Sequence, residues 1–420
     1  MSSALPNGDR RAQRIDFLDV MRGVAILAVF GFHAYRDAHR FQNVFQWNQW
    51  QILDVFSHPW HEVIWFPLIF GTSGVAIFFA ISGFCIHISY TRRPDPYFRD
   101  FCIRRVFRIY PPYLLALLVF AFVYPFGDID LRLPADATNF FAHLFLVHNL
   151  FELEVYAGIN PSFWSIAAEA QLYALFPLMF LLARWKGWRT TLLVCGAIEM
   201  AIRLTNLSAW ALYDFTMPRW FGHSALSYVF SWSIGAAIAD AWQRGERLPL
   251  SRTSFWFWLP VAIACYVCRP LTYFAFPACA VATGAFITGR LNGDLWLPKL
   301  PGGQLIARHL TFTGMVSYSF YLIHQPLLRL ANPVAGRLLG WNFDDSPSIR
   351  VVLCLLTWPF VLGLSWLMYR FVELPTIAAA RRLTHGKDRR GTGNSKADRA
   401  PSLVGHQEST LSTAPPSNVD

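Results

Sequence analysis

Ten blocks of mostly apolar residues, each near the length that crosses a hydrocarbon layer, leave this chain one kind of fold. They run over 17–36, 65–90, 108–126, 162–183, 190–207, 223–242, 253–269, 271–289, 311–332 and 351–373. A helix needs about 20 such residues to span a bilayer. Only 15% of the residues are charged against 54% hydrophobic, so the chain lacks the polar surface of a water-soluble domain. The expected fold is all-α: a polytopic membrane helical bundle of about ten transmembrane helices. An eleventh apolar stretch, Phe140–Phe151, is too short to span and is interrupted by His143 and His148. It reads as an interfacial or re-entrant piece. Arg269-Pro270 makes a tight turn between the seventh and eighth blocks.

Orientation follows from Lys and Arg in alternate connections. One set of connections (1–22, 91–110, 184–190, 241–254, 290–308, 376–420) holds 26 of them and the other set holds 7. The richer side is cytoplasmic, which puts both termini inside. The net charge of +10 is therefore an orientation signal flanking the spans, and no nucleic-acid partner is expected. Residues 1–14 form a cytoplasmic N-terminal segment without signal-peptide features, so the first helix stays as an anchor. Residues 15–382 form one membrane domain. Residues 383–420, rich in Lys, Arg, Ser, Thr, Gly and Pro, form a disordered basic cytoplasmic tail whose start can touch anionic lipid. The seven cysteines lie mostly in apolar blocks and read as small packing residues; Cys265-x-x-Cys268 lacks a partner pair for metal or redox work.

Each ionisable side chain within a span needs a reason, because it costs several kcal/mol unless paired or hydrated. They are Arg22 and His33 in the first span, His87, Glu169, Glu199 and Arg203, and His324. Glu199 and Arg203 are four apart, share a helix face and neutralise each other. His87 follows Ser82-Gly83-Phe84, where helices approach closely, and reads as a hydrogen-bonded core histidine. His324 precedes Gln325-Pro326 and suits either a bond to a neighbouring helix or work on substrate. Arg22 and His33 fall on nearly one face, about 16 Å apart along the axis. That puts Arg22 at the cytoplasmic mouth and His33 near mid-bilayer. Glu169 reaches a comparable depth from the other side. A buried imidazole near a carboxylate is an arrangement for general-base catalysis. Proton relays in transporters use the same groups, so a transporter of lipid or solute stays open at this point.

Outside the spans, His58-x-x-His61-Glu62 resembles a metal-ligand spacing, but its order is not that of the proteases and Pro59 disfavours a helix there; no metal is expected. Arg104-Arg105-x-x-Arg108, ahead of Tyr110-Pro111-Pro112-Tyr113, is a guanidinium cluster at a span entrance. It reads either as orientation signal or as a site for a polyanionic cytosolic ligand, since the guanidinium fork matches phosphate. Trp47, Trp50, Trp60 and Trp65 suit sugar stacking or an interfacial aromatic belt, with the belt favoured for Trp60 and Trp65.

Six blocks resemble, in order, those of the membrane acyltransferase 3 family. Leu18-Asp19-Val20-Met21-Arg22-Gly23-Val24-Ala25-Ile26 followed by His33 is similar to its Arg-x10-His opening. Ile77–Phe84, Arg105–Pro111, Phe163–Glu169 with Tyr173 and Pro177, Ser317–Pro326, and Glu373-Leu374-Pro375 resemble the rest. Many members have Asp where Ala76 stands, so no role for that carboxylate carries over, and the esterase-like domain that some members append is not expected here.

The resemblance implies an O-acyltransferase that moves an acyl group, commonly acetyl from acetyl-CoA, to a hydroxyl of a saccharide or glycolipid. A macrolide or other small metabolite is the alternative acceptor. It implies a multi-pass protein of the plasma membrane, the inner membrane of a bacterium, with no metal or prosthetic group. It also implies that Arg22, Arg105 and Arg108 engage the acyl-CoA donor and that His33 is the catalytic base, with Asp19 and His324 in supporting positions. From the residues themselves, Glu169 is expected to orient His33 or hold the sugar, and Ser82 to donate to the oxyanion. No serine or cysteine has a nucleophile's setting, so transfer is expected to be direct.

Overall fold

The computed structural model describes residues 17–38, 64–91, 98–296, 302–340 and 346–385, and every regular element among them is helical. The His58/His61/Glu62 spacing, Trp47, Trp50, Trp60, residues 1–16 and the tail from 386 lie outside the described residues.

Three helices open the bundle: α1 (Phe17–Ala38), α2 (Ser73–Thr91) and α3 (Phe98–Phe122). A 3-10 stretch, Phe66–Thr72, leads directly into α2, so the two form a 26-residue apolar run. Next come α4 (Pro134–Leu144) and the long α5 (Trp164–Tyr213). α5 breaks at Gly187, whose φ of +82° lies in the left-handed region that only glycine enters without strain. The break falls between the fourth and fifth apolar blocks. α6 (Val229–Arg244), α7 (Phe255–Val267), α8 (Ala275–Asn292), α9 (Gly303–Met315) and α10 (Ser317–Leu339) follow. α11 (Pro347–Leu356), α12 (Trp358–Met368), a π turn at Tyr369–Glu373 and α13 (Leu374–His385) close the chain.

Six helical runs among the described residues are long and apolar enough to cross a bilayer: Phe17–Ala38, Phe66–Thr91, Phe98–Phe122, Pro161–Tyr213, Pro270–Asn292 and Pro347–Thr384. This is an all-helical membrane protein. The difference from ten blocks has physical causes. The fourth and fifth blocks are one 53-residue run, α6 and α7 have only 16 and 13 helical residues, and α10 carries His324, Gln325, Arg329, Asn332 and Arg337.

The main core joins α1, α2, α3, α5, α6 and α10 around Phe30, Tyr113, Phe176, Trp232 and Phe320. One close crossing in it is α2 on α6. A Cβ at Gly83 would collide with the Trp232 carbonyl, and one at Gly235 with the Ala80 carbonyl. In lipid, where apolar burial gives helices little reason to associate, such backbone contact supplies the packing. Gly235→Leu is therefore expected to abolish accumulation of folded protein in membranes, checked by size-exclusion profile after detergent extraction.

The Phe140–Phe151 stretch is α4 and a single 3-10 turn at His148–Leu150, with His143 and His148 stacked at 3.9 Å between ring centroids and 6° apart. Burial lowers His143 to about 4, and burial beside His143 holds His148 well below 6.5. Both are therefore neutral in the native state. As pH falls below 6.5, the unfolded chain takes up protons that the native pair refuses. Stability is then lost at roughly 1 kcal/mol per pH unit for each histidine. The thermal midpoint should fall between about pH 7.5 and 5.5, and His143→Gln should flatten that slope.

Candidate active site

The site begins one turn into α1. Asp19, three residues before Arg22, holds its guanidinium at 2.5 Å through Nη1, while Nη2 donates to Cys85 Sγ at 3.1 Å from α2. Cys85 was expected to be a packing residue; it is instead part of a polar wall. Arg22 and Cys85 line one cavity together with Arg105 and Arg108 of α3, Ser82 of α2 and Glu169 of α5. The cavity has room for about 110 Å³ of solvent inside it and opens to the outside, so it is an accessible recess rather than a sealed packing defect. Tyr173, Ser165, Ser317, Tyr318 and Tyr321 complete its polar lining.

Charge in this cavity is unbalanced. Arg22 has Asp19 as its carboxylate, but neither Arg105 nor Arg108 forms a salt bridge among the described residues. Arg105 lies against the Phe101 ring at 5.7 Å, and its Nε is buried with no hydrogen-bond partner among the described residues. Guanidinium groups that no salt bridge closes off in a pocket are poised for an anion.

No hydrogen bond joins Glu169 to His33 among the described residues. Its Oε1 accepts a hydrogen bond from the Ser82 hydroxyl at 2.6 Å and another, shorter, from the Tyr173 hydroxyl. The same bond commits the Ser82 proton, so Ser82 has none to give an oxyanion in this state, while its oxygen accepts from Trp232 Nε1 at 3.3 Å. The partner of His33 is His324: Nδ1 of His33 and Nε2 of His324 are 2.8 Å apart, with ring centroids at 4.9 Å. Of the two uses open to His324, it makes the bond to a neighbouring helix. Both rings are buried, His33 at 8% exposure and His324 at 0%. Neither lines the cavity. Tyr321 connects the two: it lines the cavity, its ring lies 5.4 Å from that of His324, and its hydroxyl is held by Ser165 Oγ at 2.7 Å.

Local chemistry fixes α10 at this depth. Pro326 has no N–H to give the Leu322 carbonyl, and Asn160 Nδ2 donates to that carbonyl at 2.9 Å instead. Asn160 also accepts from the Ser162 amide, capping the turn with Pro161 that starts α5. Ser162 Oγ in turn donates to Gln325. Of the other buried ionisable groups, Glu199 and Arg203 pair at 3.2 Å as expected, and His87 Nε2 lies 3.1 Å from Asp240 Oδ1.

The six sequence blocks, scattered between residues 18 and 375, meet here. Ser82 to Glu169 joins the second and fourth, and Tyr318 Oη to the Ile109 carbonyl at 2.7 Å joins the fifth and third. His33 to His324 joins the first and fifth, and Ser319 Oγ to Glu373 Oε2 at 2.9 Å joins the fifth and last. Comparison with known proteins matches residues 15–370 to the acyltransferase 3 family model, an acyltransferase domain.

The chain belongs to the acyltransferase 3 family.

It is 24% identical over 360 residues to Nodulation protein 10 of Rhizobium leguminosarum bv. viciae, covering 79% of this chain and 92% of that protein. It is 26% identical to Acyltransferase MdmB of Streptomyces mycarofaciens over 73% of this chain and 80% of the relative. It is 25% identical to a putative peptidoglycan O-acetyltransferase of Bacillus subtilis over 69% of this chain and 50% of the relative; the chain thus spans about half the length of that protein. No solved structure matches. The protein is a membrane acyltransferase, which sets the transporter reading aside.

Sequence reasoning missed Tyr321, Tyr173, Ser165 and Cys85 as site residues. Tyr321 had a signal, since it precedes His324 by three positions and so shares its helix face.

Proposed function

We propose that this acyltransferase moves an acyl group, acetyl foremost, from acyl-coenzyme A to a hydroxyl of a saccharide or glycolipid, with His33 as general base. The carrying observation is the cavity whose Arg105 and Arg108 form no salt bridge among the described residues and whose wall, at Tyr321, lies against His324, the partner of His33. The phosphates of the donor meet Arg105, Arg108 and Arg22, and Glu169 accepts from amide N–H groups of the pantetheine arm. The thioester end passes the Tyr321 ring to reach His33. The acceptor oxygen attacks the thioester carbonyl, the C–S bond breaks, and the hydroxyl proton taken by His33 goes to the leaving thiolate. Transfer is direct. The arrangement we favour has ten spans in the plasma membrane, a bacterial inner membrane, with both termini cytoplasmic. The 26-to-7 distribution of Lys and Arg supports this. The saccharide class draws on the peptidoglycan O-acetyltransferases among the relatives.

The deciding experiment incubates purified protein with labelled acetyl-CoA and a panel of saccharide acceptors, then repeats it with small hydroxylated metabolites. Transfer to neither overturns the reading, and labelled protein formed without acceptor overturns direct transfer. A second measurement is independent of turnover. Cys85 lies 3.1 Å from Arg22 in the cavity wall, so saturating acetyl-CoA should slow its alkylation by a maleimide while leaving Cys268, which is exposed, unprotected. Arg105→Ala and Arg108→Ala should each raise the donor KM roughly tenfold or more, the worth of one charge-assisted hydrogen bond. Each should also weaken the salt dependence of KM.

A further inference from the structure

We propose that His324 is a positioning residue that selects which nitrogen of His33 takes the proton, through a two-imidazole relay anchored on the Tyr321 carbonyl. The proposal rests on His33 being the base. His324 Nδ1 lies 2.8 Å from the Tyr321 backbone oxygen, and a carbonyl oxygen can only accept. Nδ1 of His324 therefore carries the ring's hydrogen. With one proton per ring, Nε2 of His324 is left as an acceptor, and it faces Nδ1 of His33 at 2.8 Å. His33 must then donate from Nδ1. Its remaining lone pair sits on Nε2, the nitrogen farther from its own backbone.

The relay does for His33 what a carboxylate does in a serine-type triad: it fixes tautomer and ring plane. Glu169 does not fill this place in the structure: its bonds run to Ser82 and Tyr173, and Nδ1 of His33 faces His324 instead. The anchor is itself rigid, since the Tyr321 hydroxyl is held by Ser165 and the His324 ring stacks on Phe320 at 6.0 Å. When His33 Nε2 takes the proton from the acceptor hydroxyl, the new charge is shared along Nδ1–H toward His324 Nε2. The proton on Nε2 then passes to the thiolate, and the relay returns to its starting tautomers with atoms balanced. A carboxylate partner would hold an ion pair in the dry interior; an imidazole partner fixes the same tautomer without adding charge there.

The test is a set of substitutions at one position. His324→Gln places an amide oxygen near the lost Nε2 and can accept from His33 Nδ1. His324→Asn reaches only the former Nδ1 position, and His324→Leu removes both functions. We expect kcat to fall roughly 10²-fold or more in the Asn and Leu variants, as for other mis-set catalytic imidazoles, with donor KM unchanged. The Gln variant should recover most of that loss. Equal losses in Gln, Asn and Leu, or no loss in Leu, overturn the relay. If His33→Ala is inactive while His324→Leu is not, the base reading stands and the relay falls; if His33→Ala retains full transfer, the base reading falls. Should a variant fail to accumulate, the wild-type protein decides. ¹⁵N-histidine spectra, assigned by difference with His33→Gln, are expected to show His33 protonated on Nδ1. Protonation on Nε2 instead overturns the proposal.

Discussion

His33→Ala is expected to lower kcat for acyl transfer by roughly 10²–10⁴-fold, the usual worth of a positioned general base. The donor KM should hardly move. His33 does not line the cavity where Arg22, Arg105 and Arg108 gather, so removing its ring leaves the donor's phosphate contacts in place. An interaction made only in the transition state lowers kcat and kcat/KM together. The opposite pattern, a raised donor KM with kcat intact, would assign His33 to binding. Structure sharpens the contrast. His33 is buried against Phe32 and its ring bonds to α10, so alanine also leaves a small void between α1 and α10. His33→Gln keeps much of that volume, though its amide reaches the former Nε2 rather than Nδ1, and it has no basic nitrogen. Equal loss of kcat in Ala and Gln therefore separates chemistry from packing. Protection of Cys85 by acetyl-CoA should persist in both, reporting an intact donor cavity.

Much of this site could be read along the chain because the bilayer limits what polar residues can do. Arg22, His33, Glu169 and His324 stood out since each was costly in lipid, and all four now lie in or against one set of contacts. The i, i+4 pair of Glu199 with Arg203 was legible too, whereas the pairing of Asp19 with Arg22 emerged from the structure. What sequence could not show was which distant helices meet. Depth alone allowed Glu169 or His324 to reach His33, and only the packing of α10 beside α1 decides between them. Helix length was equally hidden, because hydropathy alone did not show that α6 would wind for only 16 residues after a 3-10 turn. Glu199 carried a larger role than its spacing revealed.

That role yields the largest expected effect on stability. Glu199 is fully buried and accepts from Arg203 Nη2 at 3.2 Å, from the Phe230 and Ser231 amides at 3.0 Å each, and from Ser231 Oγ at 2.8 Å. The two amides belong to the first turn of α6, where helical N–H groups have no partner of their own. Glu199 thus caps one helix from another. It also balances Arg203, which donates to the Ser227 carbonyl at 2.7 Å and sits over the Tyr228 and Phe276 rings. Glu199→Leu leaves a buried guanidinium unbalanced and two amides unsatisfied, a loss of about 3–5 kcal/mol. Glu199→Gln keeps an oxygen for the amides but still leaves the guanidinium unbalanced, and should cost less, about 1.5–3 kcal/mol. Measured in detergent, the thermal midpoint of the Leu variant should fall by roughly 5–10 °C and that of Gln by a few degrees. A double change, Glu199→Leu with Arg203→Met, should recover part of the loss, because a pair of apolar residues replaces the ion pair. No recovery would mean that capping of α6, rather than charge balance, is what Glu199 contributes.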